Sequence, residues 1–201
     1  MKFALYVLRH PFDGFWELKF EHRGSNRTAL VILALTFLSA IFDRQTRAFV
    51  FNDAYNVPLD IFYQIRILVF PVVLFCVANW AITTLMDGKG TFSEIFQVTC
   101  YSLIPLILFH ITVPIVSNVL SLNEAAYLAI VDGVGVGWMC LMLLIGIHVI
   151  HEYSAGKMLG TLLLTACSAA IVIFILLLFF SLLQEIGSFV YSIFREIQLR
   201  I

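Results

Sequence analysis

The most constraining feature of the sequence is an apolar stretch, Met158–Leu183, whose strongest polar groups are hydroxyls and one thiol. About 20 consecutive apolar residues form a helix long enough to cross the hydrocarbon core of a bilayer. The stretch therefore predicts an integral membrane protein. Because similar stretches fill most of the remaining chain, a separate soluble catalytic domain has no room.

The composition agrees with a chain that faces lipid. Hydrophobic residues make up 61% of the sequence and charged residues 12%, whereas soluble domains carry roughly 25% charged residues. This low fraction of charged residues indicates that most of the surface contacts lipid. The formal net charge is -1, which argues against a nucleic-acid partner, because that function needs a basic patch.

Five apolar stretches predict an all-α fold, a polytopic bundle of five transmembrane helices. The predicted spans are Thr28–Phe42, Ile67–Met86, Ile95–Val119, Ala125–Ile150 and Met158–Leu183. The first span is shorter than a full crossing, so a re-entrant or surface helix remains an alternative for it. Two prolines inside the third span, Pro105 and Pro114, predict kinks.

Two sequence patterns predict where helices begin. Thr91 with Glu94, and Ser121 with Glu124, have the spacing of a capping box. In that arrangement each side chain accepts a hydrogen bond from the backbone N–H of the other residue. The third and fourth spans should therefore start at these positions.

The spans divide the chain into three parts. Residues 1–27 mix basic and aromatic side chains, which is typical of a segment at the membrane interface. Residues 28–183 form the five-helix domain. Residues 184–201 are amphipathic, since apolar residues recur there at three- and four-residue steps, and we expect this tail to lie along the membrane surface.

The Lys and Arg residues predict the orientation. With five spans, the N-terminal segment and the turns at Lys89 and Lys157 lie on one side and carry more positive charge than the other side. Because cytosolic segments carry an excess of Lys and Arg, this bias favours a cytosolic N-terminus and an external C-terminus.

Among the polar residues inside the predicted spans, Asn79, His110 and Asp132 are the candidates for an intramembrane function. A charged side chain at the bilayer centre costs about 2.5–3.5 kcal/mol on insertion scales. Asp132 is therefore expected to face the bundle and to pair with His110 or Asn79. The alternative is that Asp132, two turns from the start of its helix, still reaches the headgroups.

Small residues predict close helix contacts. Gly133 and Gly137 are four residues apart, as are Ala166 and Ala170. Such pairs allow helix backbones to approach closely, either within the bundle or against a partner helix. Glycine is also generally frequent in membrane helices, so the pattern alone does not prove a contact.

The sequence contains no recognisable catalytic group, and neither a metal nor a cofactor is expected. His148, His151 and Glu152 share a helix face, but their order is not that of a zinc-protease motif, and a polar helix end is the preferred interpretation. The Gly-Lys turns lack the upstream glycine of a phosphate-binding loop. These absences predict a non-enzymatic protein.

The two Gly-Lys turns and the N-terminal segment should form one cytosolic surface. We expect a partner to meet side chains from all three, with the aromatic residues as anchors. The candidate partner surface comprises Phe15, Trp16, Lys19, Asp87, Lys89, Glu152 and Lys157.

Several segments in order resemble the bacterial branch of the Yip1 family of small membrane proteins. They are Arg9–Lys19, Ala78–Trp80, Asp87–Thr91, Tyr101–Pro105 and His151–Ser154, and the similarity as a whole covers nearly the whole chain. The resemblance implies five membrane helices, a cytosolic N-terminus and a bacterial plasma membrane. Similar eukaryotic proteins contact Rab GTPases, but the Asp-Leu-Tyr-Gly-Pro signature of that branch is absent here, and that role is not carried over.

The same resemblance implies, as partners, permease subunits of a carbohydrate ABC importer. The leading hypothesis is therefore an accessory or scaffold subunit of a larger membrane complex, in contact with lipids and other membrane subunits. Two alternatives remain open. One is an autonomous transporter or channel lined by Asn79, His110 and Asp132. The other is a lipid-shaping protein that acts through its amphipathic ends.

Overall fold

The computed structural model describes residues 2–52 and 56–200, leaving aside the side chains of residues 194, 197, 199 and 200. In this part of the chain all regular structure is helical, with two short 3₁₀ turns. Five helical segments are long and apolar enough to cross a membrane, which confirms the predicted all-α fold. The α-helices are α1 Lys2–Arg9, α2 Pro11–Phe20, α3 Asn26–Thr46, α4 Ile61–Leu85, α5 Phe92–Ser102, α6 Ile104–Ser117, α7 Ala125–His151 and α8 Ala155–Arg200.

The first two spans are longer than predicted. Helix α3 has 21 residues, enough for a full crossing, because it continues through the charged residues Asp43 and Arg44. Helix α4 begins six residues before the predicted span. It starts there because the Asp60 side chain accepts hydrogen bonds from the N–H groups of Phe62 and Tyr63 at 2.9 and 3.2 Å.

The predicted capping boxes and one predicted kink are present. Thr91 with Glu94 caps α5, and Ser121 with Glu124 caps the 3₁₀ turn that leads into α7. The third span is broken at Leu103, which separates α5 from α6, and Pro105 lies in the first turn of α6. Proline is tolerated there because the first N–H groups of a helix have no helical acceptor.

Helix α5 lies at the centre of the bundle. Its residues from Ile95 to Ser102 are buried except Phe96, and they pack among α3, α4 and α7. The buried hydroxyls of Thr99 and Ser102 donate to the carbonyls of Ile95 and Val98, one turn earlier. Neither of these two hydroxyls is therefore left without a partner inside the bundle.

The N-terminal segment forms a hairpin of α1 and α2 that packs on the bundle. Val7, Phe15 and Leu18 belong to the same apolar core as α3, α5 and α7. The outer side of the hairpin exposes Leu5, Phe12, Trp16 and Phe20, as expected for an element at headgroup level. The segment thus combines an interfacial outer side with a core-forming inner side.

Helix α8 continues without a break from the fifth span through the C-terminal tail. Its 46 residues correspond to a length of about 69 Å at 1.5 Å per residue, more than twice the hydrocarbon thickness of about 30 Å. The tail is therefore an extension of the transmembrane helix, in contrast to the expected surface segment. The physical reason is that this run of helix-forming residues contains no proline, and Gly187 is its one glycine after Gly160.

Candidate interaction face and ion cluster

Two glycine-containing turns meet on the face where α4 ends and α5 begins. We define the turn face as residues 86–91, residues 151–157 and the end of α2. His151 is buried at its centre, and its Nδ1 accepts a hydrogen bond from the Gly90 N–H at 3.2 Å. A Cβ on Gly88 or Gly90 would lie 2.7 Å from the His151 ring. The turns therefore fit together because both glycines lack a side chain.

Tyr153 ties the second turn to the first. Its ring stacks on His151, with centroids 5.3 Å apart, and its hydroxyl donates to the Met86 carbonyl at 3.1 Å. Burial, together with the Asp87 carboxylate, raises the pKa of Tyr153, so the hydroxyl stays protonated as a donor. Lys157 Nζ lies 4.5 Å from the ring centroid, a cation–π contact.

Lys19 joins α2 to both turns. Its Nζ donates to the Lys89 carbonyl at 3.1 Å and to the Ile150 carbonyl, and it lies 4.0 Å from the Glu94 carboxylate. Ile150 is in the last turn of α7, where the carbonyls lack helical donors and a cation is favourable. Lys19 is thus a structural cation that fixes the turn face to the N-terminal hairpin.

We expect Lys19→Met to lower the free energy of unfolding by about 2 kcal/mol, because it leaves two carbonyls without a charged donor. Unfolding in mild detergent can be followed with a thiol-reactive dye in a Cys140→Ser/Cys167→Ser background. The remaining thiols, Cys76 and Cys100, are buried and react only after unfolding.

Lys89→Met is the matched control for Lys19→Met, because the Lys89 side chain is 63% exposed. An exposed ion pair contributes about 0–1 kcal/mol, so this variant should unfold almost like the wild type. Equal destabilisation by the two substitutions would contradict the structural role assigned to Lys19.

Four charged side chains remain available on the turn face. Lys89 and Glu152 form an exposed ion pair at 2.5 Å, and Asp87 and Lys157 are exposed beside them. The hydrogen bond from Lys89 lowers the pKa of Glu152, which keeps it ionised at neutral pH. Because the buried groups already hold the turns in place, these four exposed side chains are accessible to a partner.

The structure corrects two members of the predicted partner surface. Phe15 is 0% exposed and packs in the core beside Gly146, so it cannot anchor a partner. Lys19, only 10% exposed, is used internally. Both lie on the inner side of α2, which the sequence pattern did not identify because this helix carries apolar residues on both sides. Trp16, on the outer side, remains half-exposed against Phe20.

The glycines of α7 divide into two groups. A Cβ on Gly133 or Gly137 would meet nothing within 4 Å, whereas one on Gly135 would lie 2.6 Å from Phe109 and one on Gly146 2.3 Å from Val98. Gly135 and Gly146 therefore make the close contacts within the bundle. Their spacing of eleven residues, three helical turns, is the signal that sequence reasoning missed.

Gly133 and Gly137 thus make no close contact with the described part of this chain. Gly133 and Gly137 lie on an open side of α7, and Ala166 and Ala170 are exposed on α8. Their packing against a partner helix stays a prediction.

Asp132 pairs with a residue that the sequence did not suggest. The Arg47 guanidinium donates to both Asp132 oxygens at 2.8 and 3.2 Å and to both Asp43 oxygens at 3.0 Å. The expected pairing with His110 or Asn79 is wrong, because Arg47, at the C-terminal end of α3, reaches the second turn of α7. This ion cluster joins α3 to α7 near the end of the bundle opposite the turn face.

His110 and Asn79 lie in different interfaces. His110 Nδ1 is 3.2 Å from Ser39 Oγ on α3, one helical turn before Asp43. Asn79 is buried between α4 and α8, where its Nδ2 donates to Thr165 Oγ1 at 3.2 Å. The three predicted intramembrane residues therefore do not line a common path in this structure.

No group of three His, Cys, Asp or Glu side chains in residues 2–52 and 56–200 is arranged to hold a metal ion. His148 and His151 do not act together, since His151 is engaged with Gly90 and Tyr153 while His148 borders an apolar groove beside Phe12 and Met158.

The arrangement of five spans, the N-terminal hairpin and the two turns can be compared with known families. A family model described as the Yip1 domain matches residues 5–192, which include all five spans. The chain belongs to the Yip1 family. It is accordingly a multi-pass integral membrane protein of the Yip1 family, in contact with lipid. Neither the search of curated proteins nor that of solved structures gave a significant match.

Proposed function

We propose that this Yip1-family protein is a non-enzymatic accessory or scaffold subunit that binds a larger membrane complex. The structure of the turn face is the main support for this proposal. Three separate chain segments build it, its buried groups hold its shape, and four of its charged side chains are exposed. A surface that is already ordered loses little conformational freedom on binding, so more of the contact energy appears as affinity.

The turn face is proposed to be cytosolic. The N-terminal hairpin and both turns lie on one face of the bundle, joined by Lys19. These segments carry most of the Lys and Arg residues, which favours a cytosolic position. With five spans, the C-terminus is then external, and a bacterial plasma membrane is the proposed location.

Within the membrane, the open side of α7 is the proposed contact for a partner helix. Gly133 and Gly137 leave this side without obstruction, and helices in lipid associate through close packing and hydrogen bonds. Ala166 and Ala170 on α8 are a second candidate contact. The partner class that we propose, permease subunits of a carbohydrate ABC importer, rests on the sequence resemblance alone.

Affinity purification from native membranes tests both surfaces. We expect Gly133→Leu/Gly137→Leu to reduce the recovered partner about tenfold, equivalent to a loss of 1.4 kcal/mol of binding free energy. Reversing the turn-face charges with Asp87→Lys/Lys157→Glu should also reduce recovery. The partner is quantified by mass spectrometry relative to the tagged chain.

Val136→Leu is the matched control, because Val136 lies between the two glycines on α7 and already carries an exposed, branched side chain. It should leave recovery unchanged. Wild-type recovery of the partner with both the glycine and the charge variants would overturn the assignment of these surfaces.

A further inference from the structure

The N-terminal helix α1 borders an apolar groove between α3 and α6. Leu5 lines the groove from α1, Ile32 and Leu35 line it from α3, and Ile107 and Leu108 line it from α6. The volume of the groove is about 190 Å³ and its lining side chains are all apolar. A transmembrane helix, about 10 Å across with its side chains, is too wide for this space, whereas a single hydrocarbon chain is narrow enough.

The groove lies in the half of the bundle next to the turn face. The span formed by α3 begins there at Asn26, whose side chain accepts a hydrogen bond from Ser93 Oγ at the start of α5. Ile32 and Leu35 lie about 9 and 14 Å along α3 from Asn26, at 1.5 Å per residue. Half of the hydrocarbon thickness of a bilayer is about 15 Å. The groove is therefore at the depth of the acyl chains of one leaflet.

Two cations flank Leu5 on the outer side of α1. Lys2 is three residues before Leu5 and Arg9 is four residues after it, so the three side chains share one face of the helix. All three are exposed. Lys19 and Arg23, in contrast, form ion pairs within the chain. Lys2 and Arg9 are therefore accessible to an anionic group at headgroup level, beside the groove.

A second groove, at the opposite end of the bundle, has no such cations on its lining helices. It lies between α6 and α7, has a volume of about 280 Å³ and includes Val116 and Val131 in its lining. Neither α6 nor α7 contains a Lys or Arg residue, and the carboxylate of Asp132 follows Val131 directly. The two grooves are thus both apolar but differ in the charge beside them.

We propose that the groove beside α1 binds an acyl chain of an anionic phospholipid, whose phosphate contacts Lys2 and Arg9. An acyl chain gains little by leaving other lipid tails for an apolar groove, because lipid tails are as apolar as the groove itself. The attraction between the two cations and an anionic headgroup therefore provides the preference for this class of lipid. The inference is independent of the proposed accessory role.

The test is native mass spectrometry of the protein in mild detergent, with phosphatidylglycerol and phosphatidylcholine added in equal amounts. We expect the wild type to bind one phosphatidylglycerol in preference to phosphatidylcholine. Lys2→Gln/Arg9→Gln should lower the ratio of bound phosphatidylglycerol to bound phosphatidylcholine about tenfold, because both cations beside the headgroup are lost. Leu108→Trp should lower the amount of bound phosphatidylglycerol, because the larger ring fills the groove.

Two controls match these variants. Val116→Trp places the same ring in the second groove, at a position on α6 that is 48% exposed, against 45% for Leu108. Arg66→Gln/Arg195→Gln removes two exposed cations at the end of the bundle opposite the turn face. Both controls should bind phosphatidylglycerol like the wild type.

Three results would overturn the inference. The first is a wild type without preference for phosphatidylglycerol, and the second is an equal loss of binding in the variants and their controls. The third is wild-type binding by Lys2→Gln/Arg9→Gln or by folded Leu108→Trp. Because Lys2 and Arg9 are exposed, their double variant keeps the test valid if Leu108→Trp fails to fold.

Discussion

Replacing Gly146 with leucine is expected to cost more than about 3 kcal/mol of unfolding free energy, the upper range for overpacking a core. Gly146 faces α5 and α2, where its missing side chain makes room for Val98 and the Phe15 ring. Even a Cβ would lie 2.3 Å from a methyl group of Val98. The helix-propensity gain of replacing a glycine, about 1 kcal/mol, is too small to compensate.

Gly137→Leu is the internal control for Gly146→Leu, because it adds the same side chain to the same helix on the open side. We expect it to unfold like the wild type in the thiol-dye assay. If Gly146→Leu and Gly137→Leu have the same free energy of unfolding, α7 does not pack with the orientation described. A stable Gly137→Leu variant would also validate its use in the partner experiment.

Removing Arg47 is the second substitution with a large expected effect. Arg47→Met leaves the carboxylates of Asp43 and Asp132 without a counter-charge, and breaking one partner of a buried ion pair typically costs 3–5 kcal/mol. Because the Asp132 side chain is 37% exposed, water can partly solvate it. We therefore expect a loss of about 3 kcal/mol, at the lower end of that range.

Arg44→Met separates this effect from a general loss of charge. Among the described residues, Arg44 donates to the carbonyls of Val57 and Pro58 at 3.3 Å, and its replacement should cost under about 1 kcal/mol. The triple variant Arg47→Met/Asp43→Asn/Asp132→Asn should recover much of the lost stability, because no charge is then left unpaired. Failure of the triple variant to recover would show that Arg47 stabilises the bundle through packing instead.

The positions of the helices followed closely from local sequence. Span length, the capping boxes at Thr91 and Ser121, and the break before Pro105 all depend on residues within one or two turns of each other. The errors at helix ends have the same local origin. Helix α4 starts early because Asp60 caps it, and α3 extends further because Asp43 is paired with Arg47.

The contacts between helices could not be read from the sequence in the same way. Asp132 and Arg47 are 85 residues apart, and nothing local to Asp132 distinguishes Arg47 from His110 as its partner. Similarly, Phe15 and Trp16 are adjacent aromatic residues in an amphipathic segment. Only the packing of α2 against α7 decides that one is buried and the other exposed.

The glycines of α7 also show that contacts between helices could not be predicted from the sequence. The four-residue spacing of Gly133 and Gly137 is the pattern known from helix pairs in membranes, yet both positions are open in this chain. Gly135 and Gly146 are the glycines that the bundle uses, because Phe109 and Val98 lie against them. A spacing pattern identifies a helix face that permits close approach, but the neighbouring helix determines whether that face is used.

The most direct test of the proposed accessory role is the composition of the wild-type protein after gentle extraction from native membranes. Native mass spectrometry would measure the mass of the extracted species and identify its components. We expect a second integral membrane protein in near-equal amount, with permease subunits as the proposed class. A species whose mass equals this chain alone, or a multiple of it, would contradict the proposal.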